Sequence, residues 1–361
     1  TRESSMRLAI IGGGFGVDGH LPAFRAVPGV NVVVVADSGS GRIRDKLPTG
    51  IAYAGSWQEA LSMPVDAVSV AVPPAQQCEI VLASLSRNKH VFCEKPFGLN
   101  AKEAETMNAA ALSATACVAG VNFQFRFEPG IEALKERIVA GAIGTTCAID
   151  LSWVTSGRAN PGSPWSWRND AALGGGVIGA FFSHAADLFW WLTGAEPRSV
   201  FGQSRVLVAE RPDASGTRRR VTAEDAVTAQ LEMDGGIAAT CRITNCQPGG
   251  DGMRLEVKGS EGVLIYRHAP PFGPEDRSLV CVKGEALSLP IPAPPPECQS
   301  AETRLWAVHR CAGQFVRRVK GDQAAAFPAF SDGLRAQQVI AGLRESIASK
   351  RNVMLRPASE P

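Results

Sequence analysis

The chain has 361 residues, 45% of them apolar and 20% charged, with a formal net charge of +2. That length carries a sizeable core and two domains. So small a net charge gives no case for a nucleic-acid or membrane partner, and no uninterrupted apolar run reaches the roughly 18 residues of a membrane-crossing helix. The nine cysteines, at positions 78, 93, 117, 147, 241, 246, 281, 298 and 311, are scattered and form no C-x-x-C, as reduced core thiols do. With five dispersed histidines, no metal site is expected. The polar stretch Thr1–Met6 runs straight into a strand, so a cytoplasmic chain without a signal peptide is expected, residues 1–5 being a short tail.

Strand and helix alternate in the first part. Arg7–Ile11 is apolar and stops at glycines. Asn31–Ala36 holds four consecutive valines, as a strand buried on both faces does. Ala67–Val72 and His90–Cys93 repeat the pattern, and Gln77–Ser86 and Ala101–Leu112 between and after them read as helices. Such alternation predicts a doubly wound parallel sheet, a Rossmann-type α/β domain over 6–122.

After about Asn122 the pattern changes. Val227, Ala229, Leu231 and Met233 alternate with polar residues, as do Ile237, Ala239, Cys241 and Ile243, and Asp234-Gly235-Gly236 joins the two runs. This spacing predicts an antiparallel hairpin with one apolar face. Thr145–Val154, Met253–Val257 and Gly262–Tyr266 add strands. Phe181–Leu192 reads as a buried helix, Phe330–Ser349 as an amphipathic one, and Pro290–Pro296 as an extended connector. An α+β domain over 123–361 with a large open antiparallel sheet is expected.

The first strand leads into Gly12-Gly13-Gly14-Phe15-Gly16-Val17. The frame Gly12, Gly14, Val17 is preferred over Gly14, Gly16, Gly19, because Gly12 follows the strand directly and the turn must begin there. Glycines permit that turn and let a pyrophosphate approach backbone N–H groups at a helix start. Val17 then loosens the third position, which governs helix–strand packing. Asp37 ends the second strand about 20 residues on, where a carboxylate accepts from ribose hydroxyls and repels a 2′-phosphate. NAD is the expected cofactor, with NADP as the alternative that Ser38, Arg42 and Arg44 would favour.

The most informative stretch is Val91-Phe92-Cys93-Glu94-Lys95-Pro96. Proline holds Lys95 extended at a strand tip, and ligands of open α/β sheets bind beyond the carboxyl ends of strands. A lysine there can hold or donate a proton at a substrate oxygen, with Glu94 close enough to set its protonation. A surface salt pair at a turn is the plainer alternative.

Set in that order, the motifs resemble the glucose–fructose oxidoreductase / inositol dehydrogenase (Gfo/Idh/MocA) family over nearly the whole chain. His20-Leu21-Pro22-Ala23 follows the glycine turn as in that family. Ala71-Val72-Pro73-Pro74 is similar to its segment on the nicotinamide side of the cofactor. Phe125-Arg126-Phe127 resembles its passage into the second domain, and Ser166-Trp167-Arg168 the pair that meets the cofactor from there. Gly174-Gly175-Gly176 with His184 and Asp187 resembles its active-site helix, and Phe330–Arg335 its C-terminal helix start. The resemblance implies hydride transfer between nicotinamide and a carbinol or carbonyl carbon of a sugar, polyol or related small molecule. Lys95 and His184 would handle the proton. Gly12, Gly14, Phe15, Gly16, Val17, Asp37, Ser38, Arg42, Ala71–Pro74, Gln77, Glu94, Lys95, Trp167 and Arg168 would bind the cofactor. Lys95, Asn122, Arg126, Trp153 and His184 would bind substrate. A homodimer or homotetramer through the C-terminal sheet is implied too.

Two positions depart from the family. Ala180 stands four residues before His184, where an aspartate is usual and would share its helix face; without that partner, His184 reads either as catalytic or as a core histidine. Gln77 replaces a frequent histidine and cannot titrate. Arg126 serves a ligand oxygen or pairs with an acid such as Glu128. Trp153, Trp165 and Trp167 offer platforms for sugar rings or pack their loop. Two further function classes stay open: a redox-neutral enzyme that uses bound NAD transiently for epimerisation, elimination or glycoside cleavage, and a non-catalytic NAD sensor.

Overall fold

The computed structural model describes residues 5–292 and 304–355. Cys298 and residues 293–296 of the proline-rich connector lie outside them. The first compact unit holds the described residues up to Phe127 and from 304 to Leu334; the second holds those from Glu128 to 292 and from Arg335 onward. A reading by strand pattern places the change near Asn122; the sequence offers no local sign that a late helix rejoins the first unit.

The first unit is built on β1 (Met6–Ile11), α1 (Leu21–Arg25), β2 (Val30–Ala36), β3 (Ala52–Ala54), α2 (Trp57–Ser62), β4 (Ala67–Val70), α3 (Pro74–Leu85), β5 (His90–Cys93), α4 (Ala101–Ser113) and β6 (Ala119–Val121). Its six strands are parallel, in the order β3-β2-β1-β4-β5-β6. The order reverses direction between β1 and β4, so a crevice opens beyond their carboxyl ends. Val32, Val34 and Val35 are buried, as the valine run requires. Local chemistry sets the helix starts: Ser56 Oγ accepts from Glu59 N at 3.2 Å, and Asn100 Oδ1 from Glu103 N at 3.0 Å. β4 ends at Val70, two residues short of expectation, because Ala71 and Val72 leave the ladder for the turn into α3.

The second unit contains α5 (Pro129–Val139), β7 (Thr146–Val154), α6 (Ser183–Thr193), β8 (Pro197–Arg205), the small hairpin β9 (Glu210–Pro212) and β10 (Arg218–Arg220), then β11 (Ala226–Met233), β12 (Ile237–Thr244), β13 (Gly252–Gly259), β14 (Val263–His268), β15 (Arg277–Lys283) and β16 (Glu285–Leu289). Its nine-stranded sheet runs β16-β15-β14-β13-β7-β12-β11-β8-β17, with β17 at Val353–Met354. Every pair is antiparallel except β7–β12, so the sheet is mixed. The expected hairpin forms with Met233 opposite Ile237, and Gly235 and Gly236 supply the positive φ its turn needs. Val227, Ala229, Leu231 and Met233 are buried while Thr228, Gln230 and Glu232 face solvent.

Helix α7 (Arg304–Val319) belongs to the first unit. Its Phe315 is fully buried 5.4 Å from the Phe92 ring, and Phe24 meets Phe92 edge-on at 5.3 Å. Truncating such a core phenylalanine costs about 3–5 kcal/mol. Helix α8 (Phe330–Ser349) begins in the first unit and continues in the second. Residues 171–193, which end in α6, are apolar enough on average to cross a membrane by length and composition, although Ser183, His184 and Asp187 interrupt the run; 72% of their 18-residue apolar window is buried, as in a core helix.

Candidate active site

Gly12 follows β1 with φ +138°, and a Cβ there would stand 2.2 Å from the Ala71 carbonyl oxygen. Only glycine lets the β1 turn and the β4 turn approach this closely. Gly14 faces open space: nothing lies within 4 Å of where its Cβ would be. The N–H groups of Gly14 and Phe15 meet no acceptor among the described residues. Open glycine backbone, unspent donors and a helix start are what a pyrophosphate needs. Close helix–strand packing falls to Gly16, whose Cβ would meet Ile10 Cγ2 at 3.2 Å and Ala71 Cβ at 3.4 Å. Val17, given that position by the preferred sequence frame, is half-buried against the core instead. The following turn, Gly16–His20, is a π turn that runs into α1.

Asp37, just past β2, is half-buried. Its Oδ1 accepts from Gly39 N and Tyr53 OH, both at 2.8 Å, and its Oδ2 from Ser40 Oγ at 2.7 Å. Partial burial raises its pKa, but these bonds outweigh that and hold the carboxyl below its ordinary value. An ionised acid at a strand end suits ribose hydroxyls. Tyr53, which the sequence reading passed over, orients this acid. Ser38 and Arg42, both exposed, follow it in the same loop. Ala71, Val72 and Pro73 line the β4 turn half-exposed, and Pro74 is the buried first residue of α3.

At the β5 tip, Lys95 is half-buried and Glu94 lies beneath it, buried. Glu94 Oε1 meets His20 Nε2 at 2.8 Å and accepts from Asn122 Nδ2 at 2.6 Å; Oε2 accepts from Lys95 N at 3.0 Å. Burial pushes the Glu94 pKa up, but hydrogen bonding and charge from His20, the charge of Lys95 and the Asn122 bond prevail and hold it low. Glu94 thus holds the backbone of Lys95 from a buried position, which does not suit a surface salt pair at a turn. Gln77 is fully buried and spends its amide on backbone: Nε2 donates to Glu94 O at 3.0 Å and Oε1 accepts from Gly98 N at 2.7 Å. It braces the lysine loop where the sequence reading had it touch cofactor. Arg126 is buried in an ion pair with Asp332 at 3.2 Å. Glu128 is not its acid; it caps α5 through Gly130 N and Ile131 N at 2.8 and 3.1 Å and pairs with Arg277.

In the second unit, His184 lies buried on α6 with Trp153 of β7 beside it, ring centroids 6.2 Å apart, and Trp153 meets Phe181 edge-on at 4.6 Å. A π turn, Ile178–Phe182, precedes α6. It widens the helix by one residue, so Ala180 and His184 do not align as on a regular α-helix. Glu224, absent from the sequence reading, secures this turn: its Oε1 accepts from Ile178 N at 2.9 Å and would stand 2.2 Å from a Cβ on Gly176. Trp167 and Arg168 form one short turn, the guanidinium 5.0 Å from the ring centre. That turn is tied to the same lead-in, since Arg168 O accepts from Gly176 N at 3.1 Å and leaves no room for a Cβ on Gly175. Trp165 is spent on packing, stacked by Arg219 at 3.6 Å. Burial pushes Cys241 and Cys246 up to about 12 and about 11, so neither thiol offers a nucleophile at neutral pH.

The reversed strand order, the glycine turn, the ionised Asp37 and the lysine on its buried acid define the nucleotide-binding part of a nicotinamide-dependent oxidoreductase. An oxidoreductase family with an NAD-binding Rossmann fold matches residues 6–123, and the GFO/IDH/MocA C-terminal domain matches residues 131–265. The chain belongs to the GFO/IDH/MocA oxidoreductases. It is 31% identical over 270 residues to an uncharacterized oxidoreductase of Synechocystis sp., covering 73% of this chain and 72% of that one. It is 26% identical over 290 residues to levoglucosan dehydrogenase of Pseudarthrobacter phenanthrenivorans, covering 73% and 74%. An oxidoreductase domain protein from Kribbella flavida superposes with TM-score 0.87 at 25% identity, over 98% of this chain and all (100%) of the other. The cofactor of this family is NAD, and the turn, Asp37 and the β4 segment fit it.

Proposed function

We propose that this protein is an NAD-dependent dehydrogenase acting on a carbinol carbon of a sugar-like or polyol substrate. The observation that carries the reading is Lys95, held at the carboxyl end of β5 over an ionised Glu94, on the same sheet edge as the glycine turn. Bound nicotinamide supplies the hydride acceptor. Lys95 takes the hydroxyl proton as the carbonyl forms and returns it in reverse, and Asn122 and Gln77 fix the floor beneath. His184 beside Trp153 is the second proton-handling group, of lesser weight because Ala180 leaves it without the usual aspartate. The levoglucosan dehydrogenase relative supports a sugar-like substrate class.

The test is a panel of anhydrosugars, inositols and aldoses with NAD, followed by the absorbance of the reduced cofactor. Lys95→Met should cut turnover about 10²–10⁴-fold, His184→Ala less, with cofactor affinity little changed. Product without net reduced cofactor would replace this reading with redox-neutral chemistry. A Lys95→Met enzyme of near wild-type turnover would remove Lys95 from the mechanism.

A further inference from the structure

We propose that His20 is a positioning residue that couples occupancy of the glycine turn to the placement of Lys95. The inference deepens the reading of Lys95 above, but its principal test does not depend on turnover. His20 closes the π turn that follows the glycines, and its ring is wholly buried, 0% exposed. Both ring nitrogens are engaged: Nδ1 with Ser69 Oγ of β4 at 2.6 Å, and Nε2 with Glu94 Oε1 past β5 at 2.8 Å. Asn122, past β6, shares the same carboxylate oxygen. One imidazole thus joins the nucleotide turn to three strand ends.

The carboxylate makes this a linkage and not only a satisfied core group. It is planar and rigid, and its two oxygens divide the work: Oε1 faces His20 and Asn122, and Oε2 holds the Lys95 N–H at 3.0 Å. Rotating one end moves the other. Phe15 completes the upstream side. Its ring lies on Gly19, where a Cβ would stand 2.5 Å from it, and meets the His20 ring edge-on at 5.4 Å. Phe92, 5.6 Å from the imidazole, and Phe24, at 6.3 Å, wall it in. A ligand that orders Gly14 and Phe15 must therefore order His20, because a close-packed interior leaves no slack to absorb the shift. His20 then sets Glu94, and Glu94 sets Lys95.

The probe is ADP-ribose, which fills a pyrophosphate turn but carries no nicotinamide to touch Lys95 directly. Hydrogen exchange is followed in peptides spanning 12–20 and 94–99. In the wild type, ADP-ribose should slow exchange in both, by about threefold or more. In His20→Phe, which keeps the aromatic wall and removes both hydrogen bonds, protection of 12–20 should persist and protection of 94–99 should vanish. Should that variant fold poorly, His20→Gln, which reaches one partner at a time, should show a partial loss. Retained protection of 94–99 in a variant that still protects 12–20, or none in the wild type, overturns the coupling. With an active substrate in hand, His20→Phe should lower kcat about 10–100-fold while the NADH Kd stays within about threefold, a split that plain destabilisation would not produce. If the wild type turns over no substrate, the dehydrogenase reading fails while the exchange result still decides the coupling.

Discussion

Gly12 and Gly14 stand two residues apart in one turn, and alanine at each should fail differently. At Gly12 a methyl meets two obstacles. Its φ of +138° lies where only glycine is at ease, a cost of about 1–3 kcal/mol for any other residue. Its Cβ would also stand 2.2 Å from Ala71 O and 2.7 Å from Ala71 C, which are backbone atoms that no side-chain rotation can clear. The β1 and β4 turns would have to part, loosening the bonds Gly12 N→Ala36 O and Ala71 N→Ile11 O, each 2.8 Å now, and each worth about 1 kcal/mol. Gly12→Ala should thus cost the first unit about 3 kcal/mol, or about 6–12 °C in its melting temperature. At Gly14 nothing lies within 4 Å, and φ is not in the left-handed range. Gly14→Ala should melt with the wild type but bind NADH about 10–100-fold more weakly, or about 1.4–2.8 kcal/mol, because the methyl fills the pyrophosphate's approach. Calorimetry for melting and fluorescence titration for NADH separate the two. Gly12→Ala melting within a degree or so of wild type, or wild-type NADH affinity in Gly14→Ala, would refute the reasoning.

Asp37 should favour NADH over NADPH, and Asp37→Ala should narrow that preference chiefly by weakening NADH; stronger NADH binding in the variant, or a wild type that prefers NADPH, would count against the ribose role. Glu224 gives a pH signature of known sign. Burial, the largest influence, raises its pKa above the ordinary 4.5 despite its backbone hydrogen bonds, so the folded protein holds this proton more tightly than the unfolded chain. Its contribution to stability is full below 4.5 and is lost as pH rises through the folded value. Glu224→Gln should escape that loss, so the difference in melting temperature, variant minus wild type, should grow with pH above 4.5. A flat difference curve would show that Glu224 does not titrate this way.

Much of the first unit was legible because its signals are local. Four valines in a row need a sheet with two covered faces, a glycine after a strand needs a turn, and Lys95 before a proline needs extended backbone. Each demand is met by a residue's own conformational limits and near neighbours, so β2, the nucleotide turn and the lysine tip stand where the sequence places them. The hairpin β11–β12 was legible for the same reason, since alternation with period two and two adjacent glycines settle register without help from elsewhere.

The partners of the polar groups were not legible. Arg126 had Glu128 two residues away, yet its acid is Asp332, brought in from 206 positions along the chain. Lys95 had Glu94 beside it, but besides the charge of Lys95 itself, what holds the Glu94 pKa low comes from His20 on the π turn and Asn122 past β6. Tertiary packing also chose Gly16 over Val17 as the close-packing residue, opened a π turn before His184 and paired β7 with β12 in parallel. A backbone preference belongs to a residue and travels with the sequence. A buried charge takes whichever partner the fold brings within hydrogen-bond reach, because leaving it unpaired costs several kcal/mol more than any local preference can offset.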